Sequence, residues 1–475
     1  MNEYEAVIGL ELHIQLATES KLFSSSGTVF GQEPNTQINE IDLGYPGVLP
    51  VLNKRAVEYA ALFGMAIGSQ INPRAVFMRK NYFYPDLPKG YQISQLAEAV
   101  IDGGEIYLEE FDRKVRINRG QLEEDAGKSV HDAFSDRTGI DLNRAGVPLI
   151  ELVSEPDMRS AKEAVAFMRK IHHLVRYLGI SDGNMQEGSF RCDANVSIRP
   201  TGSTEFNNRV ELKNINSFRF VEQAINLEIE RQIELVENGG TVEQETRLFD
   251  PDRQETRTMR TKEEANDYRY FPDPDLLPLD LSQDFLSEIE RLLPELPQNR
   301  RARYADYGFD TDLLNFLVQD LPTGNYFDAL VSKTNDAKLS ANWLHSELYK
   351  LLDENTKTFS DNPIAADKFA ELLAEIKANT ISGNAGKKVL QELFTAPDAD
   401  IAQLIDKLGL RQLNDDGQIR DWVAEIVAAN PKQVEAYRAG QGKMLGFFVG
   451  QVLKKSGGKA NPKIVNEILR EVLDA

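Results

Sequence analysis

The chain contains 475 residues, 41% of them hydrophobic, and carries a formal net charge of −21 at pH 7. Its length predicts two or three domains, its lack of a long uncharged apolar run excludes a membrane span, and its acidity excludes general binding to nucleic acid. Because Cys192 is the only cysteine, an intrachain disulfide and a CxxC zinc site are excluded, and we expect a cytoplasmic protein without a signal or transit peptide.

The first part of the chain, up to about residue 290, is predicted to consist mainly of strands and turns. Alternating apolar and polar side chains predict a strand over residues 5–15, and helical spacing predicts a helix over residues 53–67. The aromatic segment 81–95 contains two prolines and a glycine, which indicates an ordered loop or an edge rather than a helix. Residues 105–118 are typical of a hairpin.

Two longer amphipathic helices follow in this part of the chain. Residues 161–178 have helical spacing, with Ser160 as the expected N-cap and Gly179 as the stop signal. A second helix is predicted over residues 219–237, ahead of a pair of glycines.

Three predicted strands carry charged and amide side chains along one face. The central strand contains MQEGSFRCDANVSIR, residues 185–199, in which alternate side chains are apolar. The polar rows are Glu11, His13 and Gln15; Arg191, Asp193, Asn195, Ser197 and Arg199; and Glu211 and Lys213. One explanation is the solvated face of an antiparallel sheet. We favour a single polar concave surface, because these side chains bind metals, phosphates and carboxylates.

From about residue 279 onward, the spacing of apolar residues becomes helical. We therefore predict a mixed α/β core with a mainly antiparallel sheet over residues 1–290, a helical domain over 291–400 and a small helical tail over 401–475. Between positions 430 and 470 the tail has eight basic and two acidic residues. The lysines expected to bind the phosphates of a nucleic-acid backbone are Lys443, Lys454, Lys455, Lys459 and Lys463. Lysines that snorkel along a set of helices would give the same pattern.

Nine acidic residues lie in segments too short or too rich in turns to be the solvated faces of helices. They are Glu11, Glu123, Glu124, Asp125, Glu151, Glu155, Glu187, Asp193 and Glu211. Several carboxylates together with one histidine, His13, suit Mg²⁺ or Mn²⁺ bound with phosphates. The basic residues that could balance phosphate charge are Lys80, Lys89, Arg191, Arg199 and Lys213. This combination predicts phosphoryl transfer, which needs positioning and electrostatics rather than a dedicated nucleophile.

Other catalytic motifs are incomplete in this sequence. Gly127-Lys128-Ser129 ends like a Walker A motif, but Leu122 occupies the position of the leading glycine. The run Ser24-Ser25-Ser26-Gly27 lacks the lysine and glycine context of an amidase. Cys192 is predicted on the apolar face of its strand, where a thiol is usually inert. The chain therefore offers no obvious nucleophile for splitting an amide.

Eight long segments, beginning in the first strand, carry a resemblance to a known family. They are VIGLELHIQL, DLGYPGVLPVLN, RKNYFYPDLPKGYQISQ, LEEDAGKS, DLNRAGVPLIELVSEPD, EGSFRCDANVSIRP, VELKNINSF and DYRYFPDPDLLPL. With these motifs the chain closely resembles the B subunits of the bacterial aspartyl/glutamyl-tRNA amidotransferases, and the match runs from the first strand to the tail. Motifs of this length and number are highly specific.

The resemblance implies a fold and a reaction. The family's fold is a cradle around an antiparallel sheet, distantly similar to glutamine synthetase, followed by helical and tail domains that hold tRNA. Its B subunits use ATP and Mg²⁺ to phosphorylate the side-chain carboxylate of Glu-tRNA(Gln) or Asp-tRNA(Asn). An amidase, the A subunit, frees ammonia from glutamine, and the ammonia passes through an internal tunnel and displaces the phosphate. The C subunit is a small scaffold, so the resemblance implies a heterotrimer.

The resemblance also implies roles for particular residues. It assigns metal binding to Glu11, His13, Glu124 and Glu151, and it puts Lys89 and Glu124 near the mouth of the tunnel. The catalytic candidates that rest only on strand facing are Arg191, Asp193, Asn195 and Glu211. A structural role for His13 is the alternative, because imidazole is a poor ligand for Mg²⁺. Some relatives have a cluster of zinc-binding cysteines, but with one cysteine we expect no zinc here.

Two other functions remain open at this point. The first is a non-catalytic scaffold that holds tRNA for the amidase, which would not need the polar rows. The second is a free-standing ATP-dependent carboxylate–amine ligase acting on a small acid, which would not need the basic tail.

Overall fold

The computed structural model describes residues 3–130, 136–261, 267–413 and 416–474. The chain forms two compact units, Met1–Pro297 and Gln298–Ala475. The described residues are 42% helical and 21% strand, and a mixed sheet in the first unit is followed by helices. This arrangement confirms the predicted α+β class, with helical domains after the sheet.

The strands lie in the first unit and form one large sheet and several small ones. They are β1 (Tyr4–Gln15), β2 (Gln70–Ile71), β3 (Arg74–Ala75), β4 (Phe77–Asn81), β5 (Tyr91–Gln95), β6 (Ile101–Asp102), β7 (Glu105–Leu108), β8 (Arg113–Glu124), β9 (Lys128–Val130), β10 (Gly139–Asp141), β11 (Pro148–Ser154), β12 (Phe190–Pro200), β13 (Val210–Ile215), β14 (Glu245–Asp250), β15 (Glu255–Thr261), β16 (Phe271–Pro272) and β17 (Leu279–Asp280).

The large sheet has β1 near its centre. Its order is β15-β14-β13-β12-β1-β11-β8-β6-β2, with β7 also paired to β8. The β13–β14 pair is parallel, whereas the other described pairs of this sheet are antiparallel. The sheet is therefore mainly antiparallel, as predicted. The strands β16, β4 and β5 form a smaller sheet, with β5 on its edge.

The described residues of the first unit include four α-helices: α1 (Lys54–Ala66), α2 (Ala161–Tyr177), α3 (Phe218–Glu237) and α4 (Gln283–Leu292). The apolar row of β1, from Ile8 to Ile14, is at most 1% exposed. It shares one core with Phe63 of α1, Phe167 of α2 and Val221 of α3. Because successive side chains of a strand alternate between faces, this packing leaves the polar rows on the other face of the sheet.

The ends of α2 follow the local rules that predict them. The hydroxyl of Ser160 accepts a hydrogen bond of 3.2 Å from the backbone N–H of Glu163. Gly179, just past the helix, has a φ of +68°, which favours glycine. The predicted N-cap and stop signal are both confirmed.

Replacing Ser160 with alanine should lower the free energy of unfolding by about 1 kcal/mol, because the N–H of Glu163 loses its acceptor. Ser160→Asp keeps an acceptor and should cost much less. Hydrogen exchange in α2 measures both effects. Equal protection in the wild type and in Ser160→Ala would contradict this account of the helix start.

The remaining helices are α5 (Pro297–Ala305), α6 (Thr311–Leu317), α7 (Leu321–Thr334), α8 (Ala337–Trp343), α9 (Tyr349–Glu354), α10 (Ala366–Lys377), α11 (Gly383–Thr395), α12 (Ile401–Lys407), α13 (Asp416–Ala429), α14 (Pro431–Arg438), α15 (Met444–Lys455) and α16 (Pro462–Asp474). A π-helical segment, Leu344–Leu348, joins α8 to α9. The second unit holds two apolar clusters, one between Tyr304 and Ile405 and one between Ile419 and Leu473. The division into three domains stays a prediction. Among the described helices, none has the length and apolar character needed to cross a membrane.

Candidate active site

The three polar rows predicted from the sequence are neighbours in the large sheet. Glu11 of β1 lies opposite Asp193 of β12, and Asn195 of β12 lies opposite Glu211 of β13. Directly opposed residues of paired strands project to the same face. The rows therefore share one face, as predicted.

Two further strands, β11 and β8, continue this polar face. His13 lies opposite Glu151 of β11, and Glu151 lies opposite Gln121 of β8. The side-chain amide of Gln121 donates a hydrogen bond of 2.9 Å to Glu151. Glu123, two residues along β8, accepts a hydrogen bond of 2.7 Å from the hydroxyl of Ser94. The polar face thus extends across five adjacent strands.

Glu11, His13 and Glu151 form a group that could hold a metal ion. One ligand atom from each lies within 4.8 Å of the others. The Nε2 atom of His13 is 3.4 Å from Oε2 of Glu151 and 3.7 Å from Oε1 of Glu11. Two carboxylates and an imidazole form a set that suits a divalent cation. We call these three residues the metal group.

The carboxylates around the metal group have raised pKa values despite the cations nearby. Burial, followed by the charge of Glu151, raises the pKa of Glu11 to about 7. The same two causes raise the pKa of Glu123 to about 7. Burial also raises the pKa of Glu151. A bound cation would reverse these shifts by favouring the ionised carboxylates, so the residues present fit a divalent metal.

Lys80, predicted to balance phosphate charge, lies beside these carboxylates. Burial alone would lower its pKa, but the charges of Glu123 and Glu151, with Tyr270, raise the pKa above its usual range. Its ammonium also lies 5.0 Å from the centre of the Tyr268 ring. Lys80 therefore remains charged next to the metal group.

Lys213 provides a second half-buried cation on the same face. Its ammonium pairs with Asp193 and lies 3.0 Å from Oε1 of Glu211. Burial would lower the pKa of Lys213, but these two carboxylates raise it. Glu211 also accepts a hydrogen bond of 2.7 Å from Thr246, which fixes its side chain.

Glu124 and Lys89, both predicted site residues, contact each other. The ammonium of Lys89 pairs with the carboxylate of Glu124, which also accepts a hydrogen bond of 2.9 Å from the backbone N–H of Ile93. Because Glu124 follows Glu123 on β8, its side chain points to the opposite face. The structure therefore brings Lys89 and Glu124 together but leaves Glu124 outside the metal group.

Arg191, near the start of β12, pairs with Asp125, which follows β8. Its Nη2 atom is 2.6 Å from Oδ2 of Asp125, and Gln15 donates a hydrogen bond of 2.7 Å to the same oxygen. Burial would raise the pKa of Asp125, but the guanidiniums of Arg191 and Arg144 hold it below its usual value. Asp125 therefore stays ionised and fixes both arginines.

Arg199 lies apart from the metal group, within the first unit. The Nε atom of Arg199 is 2.6 Å from Oε1 of Glu5, towards the other end of the β1–β12 pair. The tail lysines belong to the second unit and are all exposed: Lys443, Lys454, Lys455, Lys459 and Lys463. Lys455 pairs with Glu425.

Of two further residues of the polar face, Gln121 received no role from the sequence, and Glu123 was named only among the nine candidate acids. The signal that could have found them is their spacing of two, which puts both side chains on the same face of a strand. Both lie within Gly120–Glu124, the last five residues of β8, which are all buried. The two faces of the strand therefore do not differ in exposure to solvent there. Cys192, as predicted, is buried on the apolar face.

Comparisons with known proteins agree over nearly the whole chain. A family model described as the GatB/GatE catalytic domain matches residues 6–287, and one described as the GatB domain matches residues 325–473. A protein from Dichelobacter nodosus is 66% identical over 475 residues, covering 99% of both chains. One from Alkalilimnicola ehrlichii is 55% identical over 478 residues, covering 100% of both. Both are named as the B subunit of aspartyl/glutamyl-tRNA(Asn/Gln) amidotransferase.

Proposed function

The chain belongs to the family of aspartyl/glutamyl-tRNA(Asn/Gln) amidotransferase B subunits, and we propose that it activates the side-chain carboxylate of a tRNA-bound amino acid with ATP. It is one component of an amidotransferase, a ligase that acts in tRNA-dependent transamidation. The substrates we propose are Glu-tRNA(Gln), Asp-tRNA(Asn) or both, in the cytoplasm. The partners we propose are the family's two other components, the amidase and the small scaffold protein.

The proposed reaction has two steps. An oxygen of the side-chain carboxylate attacks the γ-phosphorus of ATP, a new O–P bond forms, and ADP leaves. Ammonia from the amidase then attacks the carbonyl carbon of the acyl phosphate. The C–O bond breaks, phosphate leaves with the former carboxylate oxygen, and the product is Gln-tRNA(Gln) or Asn-tRNA(Asn). Activation is needed because a carboxylate has no good leaving group.

The polar face has the side chains that this chemistry requires. Glu11, His13 and Glu151 would hold Mg²⁺. Glu123, whose carboxylate interacts with that of Glu151, would be a further ligand. When bound, the ion would offset negative charge on the phosphate oxygens. Lys80 and Lys213 remain cationic despite burial and can stabilise phosphate charge as it moves from ATP to the carboxylate.

We assign a separate role to the Lys89–Glu124 pair. Its contact with the backbone of Ile93 holds the pair away from the metal group. A carboxylate that does not bind metal can accept a proton from incoming ammonium, which delivers the neutral nucleophile. We therefore propose that this pair acts at the entry of ammonia. Glu124 as a direct metal ligand remains the alternative.

The observation that carries the proposal is the metal group with two half-buried lysines, Lys80 and Lys213, on the same side of the sheet. The test uses this chain assembled with its amidase and scaffold partners, with ammonium chloride replacing glutamine. Phosphate release from ATP should require Glu-tRNA(Gln) or Asp-tRNA(Asn). An assembly that binds the charged tRNA but releases no tRNA-dependent phosphate would support the scaffold function instead. Release driven by free glutamate would support the small-molecule ligase.

Binding of Mg²⁺ should strengthen as pH rises through about 7. Glu11 and Glu123 each have a pKa raised to about 7, so at pH 6 protons compete with the metal. We expect the Kd for Mg²⁺ to fall about tenfold between pH 6 and 8 for each carboxylate that must lose its proton, which is about 100-fold for the two together. Isothermal titration in two buffers of different ionisation enthalpy would also detect release of protons on binding. An affinity independent of pH would contradict the proposed ligands.

Removing positive charge from the tail should weaken tRNA binding and should also make that binding depend less on the salt concentration. We expect the combined change Lys443→Gln, Lys454→Gln and Lys463→Gln to lower the slope of log Kd against log salt concentration by about 2. The reason is that tRNA binding releases fewer counterions when fewer phosphates are neutralised by the protein. Lys114→Gln, which changes an exposed lysine of the first unit, is the control. An unchanged slope would remove these lysines from the tRNA-binding surface.

A further inference from the structure

A cavity of about 770 Å³ opens beside the polar face, at the ends of β1 and β13 and the start of β12. Its wall includes Gln15 and Arg191, the end members of two polar rows, and Asn216, which follows β13. Arg191 lies opposite His13 across the β1–β12 pair. The cavity therefore begins one residue pair away from the metal group.

The charges in this cavity are balanced. Its lining includes three cations and three acids: Lys128, Arg144 and Arg191, and Asp141, Asp182 and Glu187. Asp125 already holds two of the cations, since its Oδ2 atom is 2.6 Å from Arg191 and 3.7 Å from Arg144. A nucleoside triphosphate needs a surplus of positive charge. The cavity therefore suits a ligand with little net charge better than it suits ATP.

An aromatic ring stands exposed on the cavity wall. Phe30 lines the cavity and is 66% exposed. Val29 beside it is 62% exposed, which makes this part of the wall apolar. An exposed aromatic face binds a nucleic-acid base by stacking, whatever the identity of the base. A terminal nucleoside is therefore a suitable occupant for this part of the cavity.

Glu187 supplies a carboxylate that is available to a ligand. The residue is half-buried in the loop before β12 and lines the cavity. Its backbone N–H donates a hydrogen bond of 3.2 Å to Asn184. Its carboxylate makes no hydrogen bond or ion pair with any residue in the described part of the chain. A half-buried free carboxylate favours a cationic group on the ligand.

An aminoacylated tRNA end combines these features, because it has a terminal nucleoside and a free α-ammonium group. We propose that this cavity receives the aminoacyl-nucleoside at the 3′ end of the charged tRNA, with Glu187 paired to the α-ammonium group and Phe30 stacked on the terminal base. This inference rests on the proposed function. It places the amino acid beside Arg191, from which its side chain can reach the metal group. Glu187 is thus a residue that selects charged over uncharged tRNA.

The test compares Glu187→Gln with wild type in the assembled enzyme, supplied with ammonium chloride. We expect KM for Glu-tRNA to rise about 30-fold, because a desolvated ion pair is lost, while KM for ATP is unchanged. A tRNA carrying 2-hydroxyglutarate, which has a neutral hydroxyl in place of the ammonium, should be used equally by both enzymes. Glu19→Gln, an exposed acid near the cavity, is the matched control.

Phe30→Ala provides an independent variant and should raise KM for Glu-tRNA about tenfold through loss of stacking. A rise in KM for ATP, with KM for Glu-tRNA unchanged, would assign the cavity to ATP and overturn the inference. Equal loss for the hydroxyglutarate and glutamate substrates in Glu187→Gln would overturn the ion pair. If wild type shows no tRNA-dependent phosphate release, the proposed function fails. Equilibrium binding of charged and uncharged tRNA to the same variants then still tests the cavity.

Discussion

Replacing Glu151 with glutamine should lower tRNA-dependent phosphate release by about 100- to 1000-fold, with little change in tRNA binding. Glu151 is at the centre of the metal group, 3.4 Å from His13 and hydrogen-bonded to Gln121. The substitution keeps the size of the side chain and the means to hydrogen-bond, but it removes the charge that a divalent cation requires. Higher Mg²⁺ concentrations should restore part of the rate.

Two variants calibrate this result. Glu155→Gln makes the same chemical change just beyond β11, where the side chain accepts a hydrogen bond from Asn118, and it should retain nearly full activity. Gln121→Leu removes the hydrogen bond to Glu151 and should cost about 10- to 100-fold, as expected for a residue that orients a metal ligand. Wild-type rates in Glu151→Gln, at any Mg²⁺ concentration, would exclude Glu151 from the metal site.

Replacing Asp42 with alanine should lower the free energy of unfolding of the first unit by about 3–5 kcal/mol, because it leaves a buried charge without its partner. Lys21 is fully buried, and its ammonium lies 3.3 Å from Oδ2 of Asp42. The Asp42 carboxylate also accepts hydrogen bonds from Ser24 at 2.7 Å and Ser26 at 2.6 Å. The loop between β1 and α1 therefore depends on this one carboxylate.

Urea unfolding followed by hydrogen exchange in β1 and β11 measures this effect. Fluorescence is unsuitable, because both tryptophans, Trp343 and Trp422, lie in the second unit. Adding Lys21→Met to Asp42→Ala should recover part of the loss, because the unpaired buried charge is removed. A loss below about 1 kcal/mol in Asp42→Ala would show that Lys21 finds another partner or solvent.

Local patterns were sufficient to predict the elements whose two faces differ. In β1 and β12, apolar and polar side chains alternate, so the strands and their polar rows could be predicted from the sequence. The ends of α2 could also be predicted, because Ser160 and Gly179 act on neighbouring residues of the chain. By contrast, most of β11 and the end of β8 are buried on both faces, so periodicity gives no sign of which carboxylate points where.

The adjacent acids Glu123 and Glu124 show what this limit means for the site. The concentration of acids in this segment indicates a metal site, and the resemblance to the family favours Glu124 as the ligand. The register of β8 against β11 puts Leu149 opposite Glu123, and thereby puts Glu123 beside Glu151. The contact of Glu124 with Lys89 joins residues 35 positions apart, which no local pattern predicts.

Transfer of oxygen from the substrate to phosphate tests the central claim most directly. Glu-tRNA(Gln) labelled with ¹⁸O in its side-chain carboxylate would be incubated with ATP, ammonium chloride and the assembled enzyme, and the released phosphate would be analysed by mass spectrometry. Activation through an acyl phosphate predicts one ¹⁸O atom in phosphate for every Gln-tRNA formed. Unlabelled phosphate released along with Gln-tRNA would contradict phosphorylation of the carboxylate.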